Sequence, residues 1–140
     1  EFIKGALQQF AENRGFHTGI WYRGQLAGVV GMLPIHWSNR SVELGYWLGA
    51  AFQGKGLVTM TCRALLEHAF RQLELNRVEI RLVSENRRSK GVAERLGFTH
   101  EGTFRQAELL NDRLVDIERY ALLREDWERE AHLTPQEVKP

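Results

Sequence analysis

A chain of 140 residues, 43% of them apolar, has the size of one domain and enough apolar surface for a single core. Its formal net charge of +1 offers no broad field to nucleic acid or an anionic membrane. With Cys62 as the one cysteine no intrachain disulfide is available, and neither a membrane-length apolar run nor a signal-peptide pattern is present, so a cytoplasmic protein is expected.

Phe2, Ile3, Leu7 and Phe10 recur at helical spacing and Gly15 follows as a stop, which predicts a first helix. Phe16–Tyr22 then reads as a strand, Arg23-Gly24-Gln25 as a turn and Leu26–Leu33 as a second strand, an antiparallel hairpin. Pro34–Arg40 is expected as a loop carrying His36, Trp37 and Asn39, with Ser41–Leu48 as the third strand. A helix over Leu57–Leu73 places Leu65, Leu66, Ala69, Phe70 and Leu73 on one side, opposite Arg63, Glu67 and Arg71. Val78, Ile80 and Leu82 alternate along a fourth strand, Arg77–Val83. A strand–helix–strand unit of this kind predicts a parallel pair. Asn86 or Ser84 caps a helix over Arg87–Leu96, stopped by Gly97. Phe98–Ala107 and Leu114–Leu123 form a last hairpin around Asn111-Asp112, and a short helical turn follows over Arg124–Glu130. One domain over residues 1–130 and a mobile tail over 131–140 are expected.

The stretch that organises these elements runs from Tyr46 to Val58. Two glycines, Gly54 and Gly56, flank Lys55 where the long helix begins. Glycine lets the backbone approach a ligand closely, and a helix N-terminus carries about half a positive charge, so the arrangement suits a phosphate or pyrophosphate. A plain strand-to-helix turn uses the same residues. A Walker loop is excluded because Gly56, not Ser or Thr, follows Lys55. A dinucleotide fingerprint lacks its third glycine, since Thr59 stands there.

The pattern that fits is Gln53-x-x-Gly56-x-Val58, which resembles the acyl-CoA loop Q-x-x-G-x-[GA] of the GNAT N-acetyltransferase superfamily, with Val58 in place of the small residue. Three further pieces match in order and separation. They are Glu43–Leu48 ahead of the loop, Asn86-Arg87-Arg88-Ser89 with Ala93–Phe98, and Glu101-Gly102 through Arg105–Glu108 and Asn111 to Asp116 and Tyr120. Together they resemble the branch of ribosomal-protein-serine and alanine N-acetyltransferases. The resemblance implies an α/β (α+β) fold with a mixed central sheet, splayed between the third and fourth strands, and helices on both faces. It also implies that a first strand and helix usual in the branch are missing before Phe2, leaving an N-terminal half that is either irregular, with apolar surface exposed, or covered by another chain in a homo-oligomer.

On that resemblance acetyl-CoA is the cosubstrate. Backbone groups of Tyr46, Trp47 and Leu48 would bind its pantetheine arm, and Asn86 would bond the same arm. The loop Gln53, Gly54, Lys55, Gly56, Leu57 and Val58 would hold the pyrophosphate. Glu108, directly or through water, would accept the amine proton and Ser89 would protonate or hydrogen-bond the departing sulfur, with Glu43 as the alternative base. Read from spacing alone, Glu108 is rather a solvated strand carboxylate and Ser89 a helix-surface hydroxyl. Freeing the proton of an α-amine at pH 7 costs about 1–1.4 kcal/mol, against about 4.6 for a lysine. A protein N-terminal amine or a small amine is therefore the expected acceptor. A non-catalytic CoA-binding regulatory module is the competing expectation. Cys62 reads as packing, and five histidines without ligand spacing predict no metal. His36 and Trp37 either border the acceptor cleft or plug the surface, and Asp116 either binds the acceptor or faces solvent.

Overall fold

Period-two alternation builds the sheet on which everything else rests. The computed structural model describes residues 14–130; the helix expected over Phe2–Phe10 and the tail over 131–140 lie outside them. Strand β1 (Phe16–Tyr22) turns through Arg23 and Gly24, both at positive φ, into β2 (Gln25–His36). Two such residues match the twist of a tight hairpin. The loop predicted from Pro34 is shorter than expected, because β2 continues through the proline. Pairing with the next strand lapses between Met32 and Ile35 and resumes at Ile35 with Val42. Proline has no N–H to give a ladder, and an irregularity is where a strand tolerates that loss.

Strand β3 (Ser41–Leu48) leads through a short 3-10 turn (Ala50–Phe52) into helix α1 (Leu57–Glu67), which continues as a wider π-helical turn over His68–Gln72. Strand β4 (Arg77–Val83), helix α2 (Arg87–Arg95), β5 (Thr99–Leu110) and β6 (Arg113–Leu123) complete the order, and residues 124–130 are helical. The last hairpin reaches closer to its turn than predicted, because Asn111 and Asp112 both adopt positive φ and close it tightly.

One mixed sheet results, in the order β1-β2-β3-β4-β6-β5. Its single parallel pair, β3 with β4, holds only from Ser41–Arg77 through Val42–Val78 to Glu43–Glu79. Beyond Glu43 the strands part, which is the splay expected between the third and fourth strands.

Val42, Leu44, Val78, Ile80, Leu82, Tyr120 and Leu122 form one face of the sheet. They pack with Cys62 and Leu66 of α1, Ala69 and Phe70 of its π-helical continuation, Val92 and Ala93 of α2 and Leu96 just after it. Burying a side chain such as Phe70 or Leu66 contributes roughly 1.5–3 kcal/mol. Helices are expected on both faces; among the described residues α1 and α2 cover the same one. The alternate residues, including Glu43, Gly45, Trp47, Glu79, Arg81 and Arg119, point to the opposite face. No helix among the described residues is long and apolar enough to cross a membrane.

Candidate active site

The fork between β3 and β4 opens onto a cavity of about 680 Å³ on the helical side. Its wall on the β3 side is Tyr46, Trp47 and Leu48, followed by Gln53, Gly54, Gly56, Leu57, Val58 and Thr59. Gly54 and Gly56 have φ of 80° and 72°, and a Cβ on either would stand in open space. Glycine is needed there for its left-handed backbone, and the loop presents bare main chain to the cavity. Gly56 caps α1 with no side-chain bond, and the first helical bond is donated by the Met60 N–H to the Gly56 carbonyl at 3.0 Å. The N–H groups of the first turn ahead of it therefore have no intrahelical acceptor, and the helix dipole adds its positive end.

Gln53 has a different task from the glycines. Its Nε2 donates to the Leu48 carbonyl at 3.3 Å, tying the loop to the end of β3. Val58, which stands where the pattern has a small residue, packs into the core while also lining the cavity. Lys55, expected with the loop, does not line the cavity; its ammonium lies 5.6 Å from the Tyr22 ring centroid.

The other wall comes from α2. Asn86 caps the helix, its Oδ1 accepting the Ser89 N–H at 3.1 Å, which fixes Asn86 and Ser89 together beside the cavity. The Tyr46 hydroxyl donates to the Ser89 carbonyl at 3.5 Å, linking β3 to α2. Arg87, Arg88, Gly91, Val92 and Arg95 complete this wall. Sequence reasoning quoted Asn86-Arg87-Arg88-Ser89 without assigning the arginines. Their signal is the spacing of Arg88, Gly91, Val92 and Arg95, which puts them on one helix face.

On the opposite face of the sheet a second cavity of about 370 Å³ is lined by His17, Val29, Gly31, Leu33, Glu43, Gly45, Tyr46 and Trp47. Tyr46 and Trp47 are common to both cavities, so the end of β3 is the wall between them. A Cβ on Gly45 would meet nothing within 4 Å. Burial pushes the Glu43 carboxyl above its ordinary range against the pull of Arg81 and then Arg119, while Glu79 and Glu108 push it the same way as burial.

Glu108 lies on this second face but lines neither cavity; its Oε2 is paired with Arg81 Nη1 at 2.7 Å. Ser89 therefore lines the cavity on the helical face, while Glu108 stands on the other face beside Arg81. The register of Glu108 follows a break in pairing between Phe104 and Glu108, where Gln106 has a φ of 48° and its N–H donates to Asp116 Oδ1 at 2.8 Å. Asp116 holds that bulge.

His36 and Trp37 line neither cavity. Cys62 is fully buried, and burial pushes its thiol up to about 12, so it is packing. Among the described residues no group of His, Cys, Asp and Glu has the makings of a metal site.

A family model described as an acetyltransferase (GNAT) domain matches residues 1–99. Over 123 residues the chain is 40% identical to YdaF of Bacillus subtilis strain 168, provisionally named a ribosomal N-acetyltransferase, with 88% of this chain and 67% of that protein covered. Over 102 residues it is 38% identical to the ribosomal-protein-serine acetyltransferase of Escherichia coli K12, covering 73% of this chain and 57% of that one. This chain thus spans between about half and two thirds of those relatives. Among solved structures, RimL, a ribosomal L7/L12 alpha-N-protein acetyltransferase in complex with coenzyme A, superposes with a TM-score of 0.85 at 30% identity, over 89% of this chain and 71% of that one.

Proposed function

The chain belongs to the GNAT acetyltransferase family, and from that premise we propose that it moves an acetyl group from acetyl-CoA to a primary amine by direct attack, the amine being a protein N-terminus of the ribosomal-protein type or a small α-amine. The observation that carries this reading is the pair of cavities meeting at one fork, one lined by bare backbone and arginines, the other by a carboxylate. The first suits an anionic, extended thioester and the second a cationic amine.

Within the first cavity, N–H groups of Gly54, Gly56, Leu57 and Val58 take the pyrophosphate, and Arg87, Arg88 and Arg95 supply positive charge along the same wall. The free edge of Tyr46–Leu48 accepts the amide-bearing arm as an added strand. Asn86 keeps its Nδ2 for that arm while its Oδ1 serves the helix cap.

The bound ammonium first gives a proton to a carboxylate, for which Glu108 is the assigned acceptor. The neutral amine then attacks the thioester carbonyl across the fork, the C–N bond forming as the C–S bond breaks, and the second amine proton passes to the departing thiolate, to which the Ser89 hydroxyl bonds. A specific observation favours a second assignment of the base. Glu43 itself lines the acceptor cavity and burial raises its proton affinity, whereas Glu108 is held in an ion pair. Kinetics of Glu108→Gln against Glu43→Gln decide between them: the base variant loses roughly 10²-fold or more in kcat. Thiol release from acetyl-CoA over a panel of N-terminal peptides, lysine peptides and small amines tests the function, and no release with any amine leaves the CoA-binding module as the reading. The buried thiol suits the reducing cytoplasm in which we place the protein.

A further inference from the structure

Arg81 is charged, only about a third exposed, and has no part in either cavity wall. Its place in the sheet is informative. Glu79 is the last β4 residue paired with β3, and Arg81 is the next residue on the same face, the first to stand beyond the fork. Across from it on β6 is Arg119.

The ion pairs on this face are not evenly shared. Arg77 bonds both Glu79 and Glu101, and Arg119 bonds Glu79 at 3.2 Å while lying over the Phe104 ring. Glu79 is therefore served by two arginines, and Arg81 is the partner of Glu108. Of the charges acting on Glu43, Arg81 acts most strongly, ahead of Arg119. The groups facing Glu43 are thus His17 from β1, Glu79 and Arg81 from β4, Glu108 from β5 and Arg119 from β6.

We infer that Arg81 is a positioning residue of the reaction: one guanidinium just past the fork pairs with Glu108 at 2.7 Å and stands on the same face as Glu43, and so fixes the carboxylate charge of that face for a cationic amine. The inference rests on the acetyl-transfer reading but does not depend on which carboxylate is the base. Glu43 is half-buried and faces Glu79 and Glu108, all of which favour its protonated form, and a positive neighbour on the same face opposes that. Arg81 does so at the cost of some repulsion toward the acceptor.

The test uses the whole chain with Arg81→Gln and Arg81→Lys. In Arg81→Gln the acid limb of the kcat/KM profile moves to higher pH, and the loss of activity is roughly threefold or more greater at pH 6 than at pH 8.5. Arg81→Lys, which keeps the charge but not the forked geometry, retains the limb and lowers kcat. Carbon-13 titration of the Glu43 and Glu108 carboxyls, without substrate, reads the same effect independently of turnover, with the Glu43 midpoint rising in Arg81→Gln. An unmoved midpoint, or a rate loss equal at all pH values, overturns the inference. If the wild-type chain acetylates nothing while the midpoint still moves, the functional reading falls and the electrostatic role of Arg81 stands.

Discussion

Gly45 sits at the fork with an ordinary strand φ and open space where its side chain would be, so a larger residue there costs the fold little. Gly45→Val should leave acetyl-CoA affinity unchanged by calorimetry while raising the acceptor KM about tenfold, because the new side chain enters the second cavity. Equal losses for both ligands would show that the two cavities are not separate. Asp116 offers a complementary case. It was legible only as either a ligand for the acceptor or a solvent-facing group, and it instead holds the Gln106 N–H at a bulge. Asp116→Ala should lower stability by about 1 kcal/mol in denaturant unfolding, with kcat falling as Glu108 loses its register, and Asp116→Asn should recover most of the stability. Unchanged stability in the alanine variant would remove the bulge-holding role.

Two caps present the ligand walls. Asn86→Ala should cost about 1 kcal/mol of stability through the lost N-cap bond and weaken CoA binding as well. Gly56→Ala forces a Cβ into a φ of 72°, a strain of roughly 1–2 kcal/mol, and should weaken CoA binding more than it lowers the melting temperature. Normal CoA affinity in Gly56→Ala would mean the loop has no role in binding. Asn86 was readable as one of two candidate caps and Gly56 as a glycine where the helix begins, and the bounds of β1, β3 and β4 were readable too, because glycine, proline and asparagine punctuate them locally. The continuation of β2 through Pro34 was not, since what permits it is a break in pairing with another strand. Nor was the placement of Glu43, Arg81 and Glu108 on one face. Glu108 reaches that face only after the bulge between Phe104 and Glu108 shifts the register, and composition carries no trace of such a shift.

Glu118 is the one buried charged residue among those described, and it joins three parts of the molecule. The hydroxyl of Ser84, just after β4, and that of Thr103 on β5 donate to its carboxylate, and His100 lies 2.6 Å away. These bonds, Ser84 foremost, hold its carboxyl down at about 2, below the ordinary value of 4.5. A depressed folded-state value means the stabilisation is fully present above pH 4.5 and is lost as pH falls toward 2. Glu118→Gln should therefore flatten the decline in stability over that window, as measured by urea unfolding at successive pH values; an unaltered slope would assign the decline to other carboxylates. The three-rung ladder from Ser41–Arg77 to Glu43–Glu79 has a mechanical meaning as well. It divides the sheet into two blades of three strands, pinned at one end like shears. Whatever bonds to the bare edge of Leu44–Leu48 while resting on α2 acts as a rivet across the opening. Saturating coenzyme A should slow amide exchange along that edge and, at a hundredfold excess over Kd, add about 2.7 kcal/mol of stability. Exchange that ignores the ligand would mean the blades were never its anchorage.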